Sequence, residues 1–505
     1  VILYRFPNAL RTLSIAFLLL AARCPAHAAQ DSAPSPDAMA AKPDARDFIS
    51  RSETNLMSLG NLLRFAGFNA SWLGLRSDTG LPQDSRLPTS YEVDDALGTV
   101  QAMGGGYIRA VSLIASAGCA LCLAPAPGEI NPQTLAVVDH LLRKARDDGL
   151  KFVLPLAGSG ACPDNGPADP VAGTQCVFAR ARGLPGRAFY TDPRVRNDFV
   201  RHVLSLLNHI NPETGIAWKD DATILAWENC DGCGDGIDNA TLADWTEFVG
   251  QALKADDKHH LYENGAFAGR LGPGAGAPTA AQIGLPSVDI VGDRLAPKAG
   301  SAPNFFVPAQ QAVTQAGRIY FVDSYGWAPS NWTTLDDLEA FFTEIERDRL
   351  VNGVFASDLG AHADQGGWLP PTRPGMQMLY FPQAPTPQVD TATMAQRSRA
   401  VRRLSYGMMD LSPVAFALPD QPEILSAQHG KLTWRGTPGA SAYSVQRSSD
   451  ITQRGSWVTL CDLCVTDADP HWQDPSMPAG PIWYRLMPYN PNMHFGMPSE
   501  PVKDE

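Results

Sequence analysis

The chain is short of positive charge. Against 53 aspartates and glutamates it carries 40 lysines and arginines, for a net charge of -13 over 505 residues, and no run of basic residues gathers along its length. That balance argues against nucleic acid and against an anionic membrane surface as partners, and it suits a neutral ligand. Long apolar runs are also scarce. The one that stands out, residues 13–22, is too short to cross a bilayer, so no membrane span is expected. Unpaired cysteine is missing too. Of nine cysteines, Cys24 falls in the N-terminal leader described below, and the other eight make an even set. No thioredoxin-like pattern surrounds any of them, which argues against a redox enzyme.

Residues 1–28 read as a Sec-type signal peptide. Arg5 and Arg11 supply the charged region, residues 13–22 the apolar region, and Ala26-His27-Ala28 a small-x-small cleavage site. A bacterial protein, secreted or periplasmic, is expected, and Val1 fits a bacterial start codon read literally. Residues 29–47, rich in Ala, Asp, Ser and Pro, read as a flexible linker. In an exported chain the cysteines are expected as local disulfides: Cys119 with Cys122, Cys230 with Cys233, Cys461 with Cys464, and Cys162 with Cys176. A zinc site built from two Cys-x-x-Cys pairs is the alternative, and export and wide separation weigh against it. No cofactor and no metal is called for. The acidic turn holding Asp231, Asp235 and Asp238 lacks the closing bidentate glutamate of a calcium loop.

Hydrophobic residues make up 44% of the chain, ample for a large core. Eight short apolar segments alternate with helical patterns, opening at Phe65, Tyr107, Leu150, Ile224, His260, Val288, Arg318 and Val351. That alternation predicts an α/β fold, an (β/α)₈ barrel. Thr89 with Glu92 forms a capping box, and Asn131-Pro132 opens a helix that Gly149 ends. Past a Pro-rich boundary at 411–422 the pattern shifts to short alternating strands, which predicts a small β-sandwich.

One stretch organises the rest: Ile224-Leu225-Ala226-Trp227-Glu228-Asn229-Cys230-Asp231-Gly232, a buried strand that ends in carboxylates. With Gly67-Phe68-Asn69-Ala70-Ser71-Trp72-Leu73 and the run from Asp358 through His362, Gly366 and Gly367 to Trp368, it resembles glycoside hydrolase family 5, in its β-mannanase-like branch. The resemblance implies a barrel over 48–411, a fibronectin type III-like sandwich over 420–505, and a β-linked polysaccharide or oligosaccharide in the barrel groove. It implies a retaining mechanism, which needs two carboxyls about 5 Å apart. Aligned on Trp227-Glu228, its acid/base position falls on Gly232, and its nucleophile position falls on Ser324. Two readings follow. Either displaced carboxylates, with Glu228, Asp231 and Asp323 foremost and Asp235, Glu263 and Asp358 beside them, carry hydrolysis, or the protein is an inactive homologue that holds a glycan or serves a structural role. Asp323 cannot stand in for Ser324 without a β-bulge, because neighbours on a strand point to opposite faces. Arg109, Trp72, Trp227, Tyr325, Trp327, Trp368 and His362 are the expected substrate contacts, with Trp332 as a further aromatic candidate; sugar faces stack on aromatic rings.

Overall fold

Eight parallel strands close into a barrel: β1 (Phe65–Asn69), β2 (Tyr107–Arg109), β3 (Lys151–Pro155), β4 (Ile224–Glu228), β5 (Leu261–Asn264), β6 (Ile290–Leu295), β7 (Ile319–Tyr325) and β8 (Val351–Ala356). Each strand pairs with the next in the chain, and β8 pairs with β1. The computed structural model describes residues 47–77, 84–158, 162, 173–297, 300–326, 334–371, 378–386 and 389–505. The predicted signal peptide and nearly all of the predicted linker lie outside the described residues, as do Trp327 and Trp332. No helix among the described residues is long and apolar enough to cross a membrane.

The helices follow from their caps and stripes. Ser90–Ala102 begins with the Thr89–Glu92 capping box, and Pro132–Asp148 begins at Asn131 and stops at Gly149, which is left-handed at φ 71°. The second of these turns one apolar stripe inward: Val138, Leu141, Leu142 and Ala145 are buried and join the main core. One expected strand is shorter than its apolar run. The segment 107–113 stays extended only to Arg109, and Val111–Ala115 turns helical over the barrel mouth.

The N-terminal segment before the barrel holds an element absent from the sequence reading. Strands Ser50–Ser52, Asn55–Ser58 and Asn61–Leu63 form a small antiparallel meander. Its Leu56, with Ile49, packs into the lower barrel core against Phe65, Tyr107, Val153, Leu225, Leu261, Phe321 and Phe355. The N-terminal end of the barrel is therefore plugged with apolar side chains, and the polar side chains collect at the other end.

Beyond the last barrel helix, Thr391–Gly407, two antiparallel sheets face each other. One contains Glu423–Gln428, Lys431–Arg435 and His471–Gln473; the other contains Val458–Val465, Ala442–Ser448, Trp483–Tyr489 and Val502–Lys503. Their shared core includes Ile424, Leu432, Trp434, Tyr443, Val445, Tyr484 and Leu486, which makes the pair a β-sandwich.

Barrel and sandwich meet at His362, which is fully buried. Its Nδ1 lies 2.8 Å from Asp95 of helix Ser90–Ala102, and its Nε2 lies 3.2 Å from Asp467 of the sandwich. Asp467 also accepts from Trp434 Nε1 and from the Tyr443 hydroxyl. Trp368 stacks on the imidazole at 3.9 Å. A neutral imidazole donates from one nitrogen only, so two facing carboxylates select the doubly donating imidazolium. Burial alone would lower the pKa of His362, but Asp95 and Asp467 outweigh it and raise it to about 10. His362, expected as a substrate contact, is instead fully buried in this clamp, with the half-buried Trp368 stacked on it.

The sign of the linkage is set by the raised value. The clamp stabilises the fold fully below about pH 6.5, and that contribution is lost as pH rises through about 10. His362→Gln should cost about 3 kcal/mol or more at neutral pH, because two carboxylates lose their buried partner. Thermal unfolding across pH should show the gap between wild type and variant closing as pH approaches 10. A gap that does not change with pH would remove the imidazolium from the account.

Candidate active site

Five side chains from five strands meet inside the upper barrel: Asn69 of β1, Arg109 of β2, Glu228 of β4, Glu263 of β5 and Asp323 of β7, all buried. Arg109 is the hub. Its Nε and Nη2 grip both oxygens of Glu228 at 2.7 and 2.6 Å, and its Nη1 donates to Asn69 Oδ1 at 3.2 Å. Nη2 also donates to Asp231 Oδ1 at 2.7 Å. Asn69 in turn donates to the backbone carbonyl of Asp323 at 2.7 Å. The fork-to-fork pairing of guanidinium and carboxylate fixes both groups in direction as well as distance.

The strand register explains why Asp323 joins them. Asp293 pairs with Val322 and Arg294 with Ser324, so Asp323 is an extra residue between two ladder positions. Pairing to β8 slips over the same span, between Val322 and Tyr325. This is the bulge that the sequence reading required. Gly292 makes room for it, since a Cβ there would lie 1.8 Å from Asp323 Oδ2. Tyr325 consequently faces the helices, against Phe341 and Phe342, and is buried.

Asp231 sits one layer higher, in the turn closed by the Cys230–Cys233 disulfide. A second arginine reaches it: Arg294 Nη2 donates to Asp231 Oδ1 at 2.8 Å. Beside them lies Gly232, whose φ of 61° is left-handed. A Cβ at Gly232 would stand 3.0 Å from the Arg294 guanidinium. The left-handed turn disfavours a side chain at position 232, and the arginine tip would have to give by a few tenths of an ångström.

The charges divide the carboxyls into two kinds. Burial would raise Asp231, but Arg109 and Arg294 outweigh it and bring its pKa down to about 2. Asp231 is a permanent anion at neutral pH. Glu228 goes the other way: burial, with Asp323 and Asp231 near, pushes it up to about 8 although Arg109 opposes. Glu263 is raised well above the carboxylate range by burial and then by Asp323 and Glu228, and burial raises Asp323 as well. These two carboxyls lie within hydrogen-bonding reach of each other, and no other donor among the described residues reaches their oxygens. A proton shared between them, donated by Glu263, satisfies the pair. Asp358, raised by burial, is held by the Ser71 hydroxyl at 2.8 Å, and burial lifts Asp293 to about 6.

The other expected residues fall in different places. Glu228, Asp231, Asp323 and Arg109 come together as one network. Trp72 and Trp227 are fully buried, with their indole nitrogens bonded to the Leu359 carbonyl and to Asp257. With Tyr325 also in the core, these three rings offer no face to a ligand in this structure, contrary to expectation. All four expected disulfides are present. Arg294 and Asn69 were not singled out as site residues from the sequence. Their signals were there: a polar pair, Asp293-Arg294, after an apolar strand, and an asparagine ending Gly67-Phe68-Asn69.

Removing the hub should be costly. Arg109→Met leaves Glu228 and Asp231 without their buried cation, and a loss of about 3–5 kcal/mol is expected in denaturant unfolding. A near-neutral Arg109→Met would mean that the carboxyls are held by something else.

Comparison with known proteins finds similarity to glycoside hydrolases. Residues 114–273, which hold β3 to β5, match the family model described as GH family 5 beta-mannosidase-like. Mannan endo-1,4-beta-mannosidase 1 of Oryza sativa is 30% identical over 236 residues, 45% of this chain and 51% of its own length. Mannan endo-1,4-beta-mannosidase 7 of Arabidopsis thaliana is 29% identical over 217 residues, 41% of this chain and 46% of its own. The chain thus spans about half the length of the curated relatives it matches. Among solved structures, the endo-beta-1,4-mannanase of Thermotoga petrophila superposes with a TM-score of 0.54 at 15% identity, covering 88% of this chain and 98% of that one. The family 5 mannosidase of Rhizomucor miehei gives 0.55 at 14%, covering 73% and 98%. The fold is that of these enzymes, and in its central third the sequence is similar to the mannanase-like members of glycoside hydrolase family 5.

Proposed function

We propose that this is an exported carbohydrate-active protein of glycoside hydrolase type, whose barrel mouth engages a β-linked, mannan-type polysaccharide and holds it without ordinary retaining hydrolysis. The observation that carries this reading is the state of Asp231. It is clamped by Arg109 and Arg294 and ionised, while Gly232 and Ser324 stand where the resemblance places the two glutamates. An anion held by two guanidiniums cannot donate a proton to a leaving group, and glycine offers none. The relatives' names supply the polysaccharide class. The leader-like N-terminus and the four disulfides support export. The C-terminal sandwich, read as fibronectin type III-like, is a packing module clamped to the barrel through His362.

One observation favours a second reading, relocated hydrolysis. The bulge turns Asp323 inward beside Glu263, which puts a protonated carboxyl next to an acceptor.

The full oxidised chain, run through gels containing β-mannan or β-glucan and assayed in parallel for new reducing ends, separates the two readings. Retardation by β-mannan without release is the expected result, with retardation reduced several-fold in Asp231→Asn. Release that Asp323→Asn or Glu263→Gln abolishes would replace binding by relocated catalysis.

A further inference from the structure

Four side chains run from the barrel interior to its mouth, carboxyl and guanidinium in turn: Glu228, Arg109, Asp231, Arg294. Each is within 2.8 Å of the next. Exposure rises along the string. The side chains of Glu228 and Arg109 are 0% and 2% exposed, that of Asp231 is 12% exposed, and that of Arg294 is 43% exposed. The string therefore ends at the solvent in a cation.

That cation is held in place. Its Nη2 is anchored on Asp231, and its guanidinium packs over Gly232, where a Cβ would press against it. Asp231 is fixed in turn by Arg109 and by its own backbone N–H, bonded to the Ala157 carbonyl at 3.0 Å. Only the bond to Asp231 engages Arg294 among the described residues. Its remaining N–H donors stay available on a side chain that is 43% exposed, and the bond to Asp231 already meets part of the ordering cost of the planar fork.

From this geometry we infer that the mouth selects a β-linked glycan bearing a carboxylate, a uronate residue, and that Arg294 is the specificity-determining residue that reads it. The inference rests on the mouth being a glycan site. A carboxylate matches a guanidinium edge with two parallel N–H···O bonds, which a sugar hydroxyl cannot do. A cationic sugar is disfavoured, because Arg294 stands between it and Asp231. The net charge of -13 does not oppose a single uronate among neutral sugars, since charges farther than about 8–10 Å away are screened at physiological salt.

The test is a titration of the full oxidised chain with two β-1,4-linked mannooligosaccharides of equal length, one neutral and one carrying a uronate unit, at low and high salt. The wild type should bind the uronate-bearing chain about tenfold more tightly, the preference shrinking with salt. In Arg294→Gln the ratio of the two affinities should fall to near one, and in Arg294→Lys, which keeps the charge without the fork, it should fall partway. Equal affinity of the wild type for both chains overturns the inference and leaves the glycan site standing. Binding of neither chain overturns both. A wild-type preference that ignores salt and survives in Arg294→Lys and Arg294→Gln assigns the selection to other residues and overturns the role of Arg294. If the glutamine variant unfolds, the lysine variant and the salt dependence of the wild type decide the matter.

Discussion

A guanidinium in the middle of a barrel sets the terms for everything above it. Arg109 is 2% exposed, and burial works against its charge, yet the carboxyls around it hold its proton more firmly than water would. Around it and Arg294 stand four carboxyls: Glu228, Asp231, Glu263 and Asp323. Asp231 stays ionised between the two cations, and burial raises the other three, Glu228, Glu263 and Asp323, so that the layer lowers its charge by taking up protons. Take the cation away and the layer becomes a cluster of like charges in a low dielectric. Asn69, the bulge at Asp323 and the missing side chain at Gly292 are the local adjustments that let the cluster fit around its hub.

The barrel is graded from apolar to charged along its axis. At one end the N-terminal meander and the aromatic layer of Phe65, Tyr107, Phe321 and Phe355 exclude water. Above that floor the polar layer is dry enough for its charges to interact strongly. At the mouth Asp231 and Arg294 meet solvent. The same strands supply all three levels, because alternate residues along each strand face inward. The charge that reaches the surface is thus fixed by residues a ligand never touches.

Much of this was legible in the sequence, and the failures have physical causes. Eight apolar segments, the capping box at Thr89 and the Asn131-Pro132 helix start carry local signals, and the structure has a barrel strand in each segment, though the second stops at Arg109. The four cysteine pairs follow from short spacing and an even count. Trp72 and Trp227 misled because an indole at a strand end serves a core as well as a ligand, and only the neighbouring elements decide which. His362 misled for a similar reason: its partners Asp95 and Asp467 lie 267 and 105 residues away along the chain. The meander at 50–63 is made of three- and four-residue strands, too short for a period to register. Arg294 gave only the weak sign of a charge after an apolar run, since its meaning depends on a turn folded from another strand.

Position 232 also bears on how such a site changes over time. A glutamate placed there by a single substitution would adopt a left-handed backbone at a cost of about 1–2 kcal/mol. It would also press on the guanidinium 3.0 Å from its Cβ. The flexible tip of Arg294 can give by a few tenths of an ångström, so most of the cost lies in the left-handed turn between Cys230 and Cys233. Any side chain introduced at that position is thus opposed chiefly by the backbone of a disulfide-closed turn.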